Sequence, residues 1–539
     1  MKRRVFLKKS LAGLGGALFA SSRAFGAEQS YDVVVYGATA SGVAAAVAAA
    51  RQGARVALVE PGSHAGGMVS GGLGHTDTGR VETIGGISLE FFKRVGREYN
   101  QDVAWDFEPH VAEDVFKTMA REAGVSVVYD TRLREHGAIQ RKSGRITSFT
   151  TGRGDVFSGQ VFIDASYEGD LMAQSGAAFT WGREGREQYD ESLAGAREGH
   201  EYAGHWFKVP VSAYDSRHGL LPNVNHGARG KAGAADRKIQ AYNFRLCLTK
   251  DKSNQVPIPR PDNYNPHEYE LLARLIEATA KAKKIPPRLE ELISISPLPN
   301  GKTDINNNGA FSTDYIGRNW DYPNAGYQRR GESWREHAGY TAGFFYFLGH
   351  DRGVPSELRS EMLEWGLAKD EFTDTGNWPF QLYVRESRRM VGEYVMVQRD
   401  LETEVAKPDA IGMGSYNTDS HNVQRYVDET GNAQNEGDVE APTIPFQIPY
   451  RALAPKRQEC GNLLVPVCAS ASHIGYGALR LEPVYMIMGE AAGVAAAMAA
   501  GRKQAVQAVD AGALAKELMK RGAVMEWTNP NHQQLKPVA

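Results

Sequence analysis

The apolar positions of the first third of the chain fall into short unbroken runs instead of alternating with polar ones. "YDVVVYG" (31–37) is such a run, the pattern of a strand buried on both faces of a parallel sheet. After Gly42, "VAAAVAAARQG" (43–53) reads as a small-residue helix closed by Gly53, and "ARVALVE" (54–60) as a second buried strand ending at Glu60. Together these make one βαβ unit. The stretch "PGSHAGGMVSGGLGHTDTG" (61–79) is too dense in glycine for regular structure. Amphipathic helices are predicted at "ISLEFFKRVGREY" (87–99) and "HVAEDVFKTMAREAG" (110–124). "VSVVYDT" (125–131) is a strand, "GAIQ" and "RITSFTT" form a hairpin about the turn "RKSG" (141–144), and "QVFIDAS" (160–166) is a last apolar strand.

From about Phe179 to Pro442 this periodicity is lost and aromatics, Asn, Pro and His become frequent. Helices are expected at 267–284, 332–351 and 355–367, and "PFQLYVRESRRMVGEYVMVQ" (379–398) mixes an extended start with a helix. A buried strand with a glycine-flanked loop returns at "GNLLVPVCASAS" (461–472), followed by a long small-residue helix at 482–501 and a surface helix at 511–522. The expectation is an α/β fold: a Rossmann-like dinucleotide domain split into 27–178 and 443–505, with a large inserted α+β substrate or cap domain at 179–442. A C-terminal helix and tail occupy 506–539.

The composition, 42% hydrophobic and 23% charged, is that of a globular protein. The formal net charge is −2, but the first 26 residues hold six Lys/Arg and no acid, so the remainder stands at −8. That balance argues against nucleic-acid binding. The leader "MKRRVFLKKS" followed by the short apolar run "LAGLGGALFA" reads as a signal peptide over 1–26, too short to span a bilayer. Arg3-Arg4 before x-Phe-Leu-Lys resembles the twin-arginine signal. The expectation is a protein exported folded by the twin-arginine machinery to the periplasm or medium, with no membrane span in the mature chain. Three cysteines without a C-x-x-C pair exclude a disulfide framework and a structural zinc, and leave only a Cys460–Cys468 bridge to consider. No metal is expected.

The turn "GATASG" holds Gly37 and Gly42 where a dinucleotide fingerprint wants glycine, with Thr39, Ala40 and Ser41 between. The fingerprint's middle glycine is replaced by Thr39, whose hydroxyl is expected to donate to a phosphate oxygen. Glu60, at the end of the second strand, stands where a carboxylate accepts ribose hydroxyls. A second contact with a long dinucleotide is offered by the distant helix start at Glu482 and Pro483, and no second fingerprint for NAD(P)H is visible.

With "VFIDASYEGDLMAQSGA", "NLLVPVCASASHIGYGALRLEPVYMIMGEAAG", "KTDINNNGAFSTDYIG" and "LYVRESRRMVGEY", the chain resembles the bacterial exported FAD-dependent oxidoreductases of the glutathione-reductase-like superfamily, sometimes labelled xanthan-lyase-like. The resemblance implies FAD, with Gly37, Gly42 and Glu60 at the adenosine half and Gly66, Gly67 and Met68 along the pyrophosphate or ring. Asp164 and Ala165 would make the strand-end contact, although Ser166-Tyr167 replaces the usual Thr-Gly. Hydride transfer to flavin usually wants a base near the substrate carbon. The candidates are His473 and Tyr476 in the loop before the last long helix, and His75. Arg480, Asp77 and a pair from Arg385, Arg388 and Arg389, at helical spacing, are candidates for substrate binding. Packing or salt bridging, as between Arg480 and Glu482, is the plainer role for each. His64 loosely resembles a covalent flavin site, and Asp304–Gly309 would suit sugar hydroxyls. The expected function is oxidation of a small alcohol, sugar-like compound, hydroxy acid or amine by hydride transfer to FAD. A quinone, a cytochrome or oxygen would then take the electrons. A flavin monooxygenase, or a non-catalytic FAD protein serving binding or assembly, are the alternatives.

Overall fold

The computed structural model describes residues 28–527, so the signal peptide expected at 1–26 lies outside the described residues. Strand β1 (Glu28–Tyr36), helix α1 (Ala40–Arg51) and strand β2 (Val56–Val59) form the βαβ unit at the start. β1 and β2 are parallel, with Val33 opposite Val56. Helices α2 (Gly86–Glu98) and α3 (Pro109–Glu122) precede β3 (Ser126–Val128), which adds to β2 in parallel. The hairpin β4 (Ile139–Lys142) and β5 (Arg145–Thr150) leads to β6 (Val156–Asp164). β6 lies parallel to β1 and antiparallel to β5, giving the order β3-β2-β1-β6-β5-β4. The hairpin turn is tighter than the sequence suggested, because Arg141 and Lys142 belong to β4.

Leu463–Leu464, from near the other end of the chain, pairs in parallel with Phe162 and Ile163 of β6. The same distant region supplies the helix Glu482–Arg502. A Cβ on its Gly489 would lie 2.2 Å from the Ser41 carbonyl oxygen, and one on Gly493 2.1 Å from that of Ala45. Only glycine admits so close an approach of two helix backbones, and the alanines of α1 extend the contact. Among the described residues this is one helix long and apolar enough to cross a membrane, yet it is mostly buried inside the protein.

The middle of the chain contributes an antiparallel sheet in the order Ile293–Leu298, Lys302–Asn307, Leu246–Thr249, Gly366–Ala368, Gln255–Val256. Its Leu246 and Ile305 share an apolar core with Leu271, Phe344 and Leu358 of the helices Glu270–Lys283, Tyr327–His350 and Ser356–Leu363. That core is continuous with Val33 and Ala45 of the βαβ unit.

Two local expectations fail. Residues 381–397 are extended or irregular, and the helix within 379–402 is confined to Gln398–Glu402, so Arg385, Arg388 and Arg389 share no helix face. Each of the three guanidiniums is buried against carboxylates from other parts of the chain, and those contacts override helical propensity. Conversely, His473–Leu479 is a short helix where a loop was expected, its first turn capped by Ser472 accepting from the Gly475 N–H. Cys460 and Cys468 are buried free thiols, not a bridge.

Candidate active site

A cleft of about 330 Å³ opens where β1, β2 and β6 end. Gly37, Thr39, Glu60, His64, Gly67 and Tyr167 line it, together with Arg132, Trp334, Phe380 and Gln381. The turn at its base is held by close packing: a Cβ on Gly42 would lie 1.8 Å from the Gly37 carbonyl oxygen. Thr39 is the N-cap of α1, and its hydroxyl accepts from the Gly42 N–H at 3.1 Å and donates to the Ala165 carbonyl at 2.8 Å. The expected donation to a phosphate is therefore not made by this hydroxyl, whose proton is committed to the Ala165 carbonyl just beyond β6. What remains for an anion is the positive end of α1 itself.

The Glu60 carboxylate accepts from the Ala38 and Gly62 N–H groups, each at 2.6 Å, one on each oxygen. Burial pushes it up to about 7, against those two hydrogen bonds. Each oxygen keeps a lone pair, as a vicinal diol would require. His64 stacks on Phe380 with ring centroids 3.9 Å apart; its Nδ1 lies 3.1 Å from Glu113 and its Nε2 3.2 Å from Asp374. Burial opposes its protonation, but the two carboxylates outweigh it and raise its pKa. It is an ion-pair residue of the cleft wall. Ala40, Ser41, Gly66 and Ala165 lie behind this lining, as does Asp164, which accepts from the N–H groups of Ser166 and Met172 and rises to about 6 through burial.

Tyr167 connects the cleft to a second region. Its hydroxyl accepts from the Met68 N–H and donates to Glu482 Oε1, both at 2.8 Å. Glu482 and Pro483, in the first turn of their helix, border a void of about 10 Å³ that Asp77 and Tyr383 also line. Burial raises Glu482 to about 8. Around Tyr383 stand three buried guanidiniums, each with its own aspartate. Arg245 meets Asp304 through two bonds of 2.7 Å, Arg385 meets Asp314 at 2.9 Å, and Arg480 meets Asp419 at 2.8 Å. Arg245 and Arg385 lie over the Tyr383 ring at 5.3 and 4.9 Å. His421 joins the group, its Nδ1 2.8 Å from Asp314. Asp77 accepts from the Tyr416 hydroxyl at 3.1 Å and is raised by burial.

The catalytic candidates from sequence are not brought together. His75 points outward, half exposed, with Nδ1 2.5 Å from Asp106. His473 is buried between Glu386 (2.9 Å at Nδ1) and Ser420 (3.0 Å at Nε2), in a network with Arg389 and Glu184 that ties the middle of the chain to the C-terminal helices. Tyr476 is sequestered against Tyr485 at 2.7 Å. Arg480 pairs with Asp419, not Glu482, and Arg388 pairs with Asp170 at 2.7 Å, away from Arg385. In the Asp304–Gly309 segment Asp304 is bound to Arg245, while Asn306 and Asn307 accept from Arg385. Two carboxylate–histidine groups, Glu108/His110/Glu371 and His205/Asp438/Glu440, are compact enough to suggest a cation. The Lys302 ammonium already fills the first, 2.7 Å from both glutamates, and Asp438 of the second accepts two backbone N–H groups at 2.7 Å.

Sequence reasoning passed over Arg245, Asp314, Tyr383, Asp419 and His421. The one local signal was the Asp-x-His spacing in "NTDSHN" (417–422).

A glycine turn, a helix N-terminus and a strand-end carboxylate around one cleft define a dinucleotide-binding α/β protein. The chain belongs to the family of FAD-dependent oxidoreductases, whose model matches residues 32–518, and FAD is its cofactor. No curated protein matches it. Among solved structures it is similar to a steroid monooxygenase bound to NADP (24% identity, 26% of each chain, TM-score 0.20). It is also similar to L-proline dehydrogenase from P. horikoshii (14% identity, 30% of this chain and 59% of that one, TM-score 0.24). A third is THI4 of Thermovibrio ammonificans (22% identity, 29% and 66%, TM-score 0.22). The chain thus spans less than two thirds of the length of each of these structures.

Proposed function

We propose that this enzyme oxidises a neutral, hydroxylated small molecule, a sugar-like compound or other alcohol, to the corresponding carbonyl compound. The observation that carries the reading is the pairing of Arg245, Arg385 and Arg480 with Asp304, Asp314 and Asp419 around Tyr383. Each guanidinium of this group is already matched by an aspartate, so the region carries no surplus positive charge to clamp a carboxylate, and a neutral substrate suits it better. Bound FAD supplies the acceptor for a hydride. Gly37 and Glu60 would hold its adenosine end, with Gly67 and Tyr167 further along the cleft. Gln381 and Leu382 line that same cleft and lead directly into Tyr383 and Arg385, which joins cofactor and substrate regions along one strand of chain.

In this reading, 27–178 and 443–505 make one FAD-binding domain interrupted by a substrate domain at 179–442; the pairing of Leu463–Leu464 with β6 supports it. Residues 1–26 would direct export of the folded protein by the twin-arginine route, with a quinone or cytochrome as electron acceptor outside the cytoplasm. The test is anaerobic reduction of the purified yellow protein by a panel of sugars, polyols, hydroxy acids and amines. Bleaching by neutral alcohols is expected. Bleaching by hydroxy acids or amines alone would refute the substrate class, and a colourless protein that takes up no FAD would refute the whole reading.

A further inference from the structure

We propose that His421, oriented by Asp314, is the residue that accepts the substrate hydroxyl proton, an inference that rests on the alcohol-oxidising reading above. Oxidation of a carbinol to a carbonyl breaks one C–H and one O–H bond. The hydride leaves carbon with both electrons for the acceptor already named, and the oxygen's proton must go to a group of this chain. The groups favoured from sequence cannot take it: His473 has both ring nitrogens engaged, and His75 is at the surface.

His421 has the required geometry. Its Nδ1 lies 2.8 Å from Asp314 Oδ2, and Asp314 is held ionised, at about 2, because Arg385 and His421 outweigh its burial. An ionised carboxylate accepts only, so Nδ1 carries the proton and donates, leaving the lone pair on Nε2. That Nε2 faces Asp419 Oδ1 at 3.7 Å. Two acceptors at this separation make no bond with each other, so the Nε2 lone pair is left for a substrate hydroxyl about 2.8 Å away, whose single proton it accepts. Asp419 is simultaneously bound to Arg480, so the site keeps its charge balance when the imidazole takes up a proton. The groups around the ring are Asp314, Asp419, Arg385 and His205, whose ring centroid is 6.3 Å away, while Gln240 accepts from the His421 backbone N–H. Burial and Arg385 lower the imidazole's pKa, against the pull of the two aspartates, which keeps it neutral and ready to accept at pH 7. Asp314 is the positioning residue; His421 is the catalytic one.

The test uses the FAD-loaded full chain and its His421→Asn, His421→Ala and Asp314→Asn variants. His421→Asn should retain flavin absorption and thermal stability but be reduced by the alcohol about 10²–10⁴-fold more slowly. Added imidazole should restore part of the rate in His421→Ala. Nitrogen NMR of the histidine rings, independent of turnover, should show His421 as the Nδ1–H tautomer, a state that Asp314→Asn abolishes. Reduction of His421→Asn at the wild-type rate, or an Nε2–H tautomer in the wild type, would overturn the inference and leave the dehydrogenase reading standing. A wild type that no alcohol reduces overturns both. Should His421→Asn misfold, the tautomer in the wild type and the Asp314→Asn kinetics decide the matter.

Discussion

The cleft at the βαβ unit and the ion-pair group around Tyr383 are built on opposite principles. The base of the cleft is made of backbone: a glycine turn, the first turn of α1 and one strand-end carboxylate, contributed within residues 37–67 together with the end of β6, while Arg132, Trp334, Phe380 and Gln381 line the rest. The second region is made of side chains brought from residues 77, 245, 304, 314, 383, 419, 421 and 480, and backbone conformation plays little part in it. A cofactor presents the same phosphates and ribose in every member of a family, and a fixed backbone cradle serves that constancy. In the function proposed above the second region meets the substrate, and its origin in many separate segments lets it change without disturbing the cradle.

The largest expected effect comes from breaking the cradle. Gly42→Val forces a side chain onto the Gly37 carbonyl, and the protein should lose bound flavin, seen as loss of visible absorption, or fail to accumulate folded. Next is Arg480→Met, which strands Asp419 inside the protein. Removing one partner of a buried pair costs about 3–5 kcal/mol, and the double variant Arg480→Met/Asp419→Asn should recover much of that in denaturant titrations. Flavin content per folded molecule should be unchanged, the opposite of the Gly42 result.

A third effect concerns pH. Glu482 is raised from the ordinary carboxyl range to about 8, so between the two values the folded state holds a proton that the unfolded chain has released. Stability from this group is therefore full below about pH 4.5 and is lost as pH rises towards 8. Differential scanning calorimetry of the flavin-free protein should show Tm falling from about pH 5 to pH 8, with a shallower fall in Glu482→Gln. A smaller change is expected for Glu60→Gln, which keeps an acceptor but gives up the carboxylate: FAD should dissociate about tenfold more readily in a fluorescence titration. Smallest is Thr39→Gly. It removes a cap at a cost of roughly a few tenths of a kcal/mol and should leave flavin binding nearly intact, because the hydroxyl is turned to Ala165.

The same contrast explains what the sequence made legible. The βαβ unit, α2, α3 and the helix at 482–502 stand where apolar runs and glycines placed them, because local periodicity reports local structure. Glu60 was found by its spacing from Gly37 for the same reason. Arg385 and Arg388 were misread as a helical pair, since the charged residues crowded into "RESRR" look like an exposed helix face until distant aspartates claim them. His473 was singled out as part of a loop before the last long helix, yet the segment is a helix whose Gly475 and Gly477 pack closely against Met396 and Thr418. His421 was missed because its partner Asp314 lies on another segment, and no period along one chain reports such a meeting.

The clasp between α1 and the helix Glu482–Arg502 bears on the order of events during synthesis. α1, whose N-terminus borders the cleft, leaves the ribosome long before the backbone it rests on, at Gly489 and Gly493. Throughout that interval the nascent chain carries an unfinished nucleotide site. A chain truncated before residue 489 is therefore expected to purify without flavin, however complete its fingerprint.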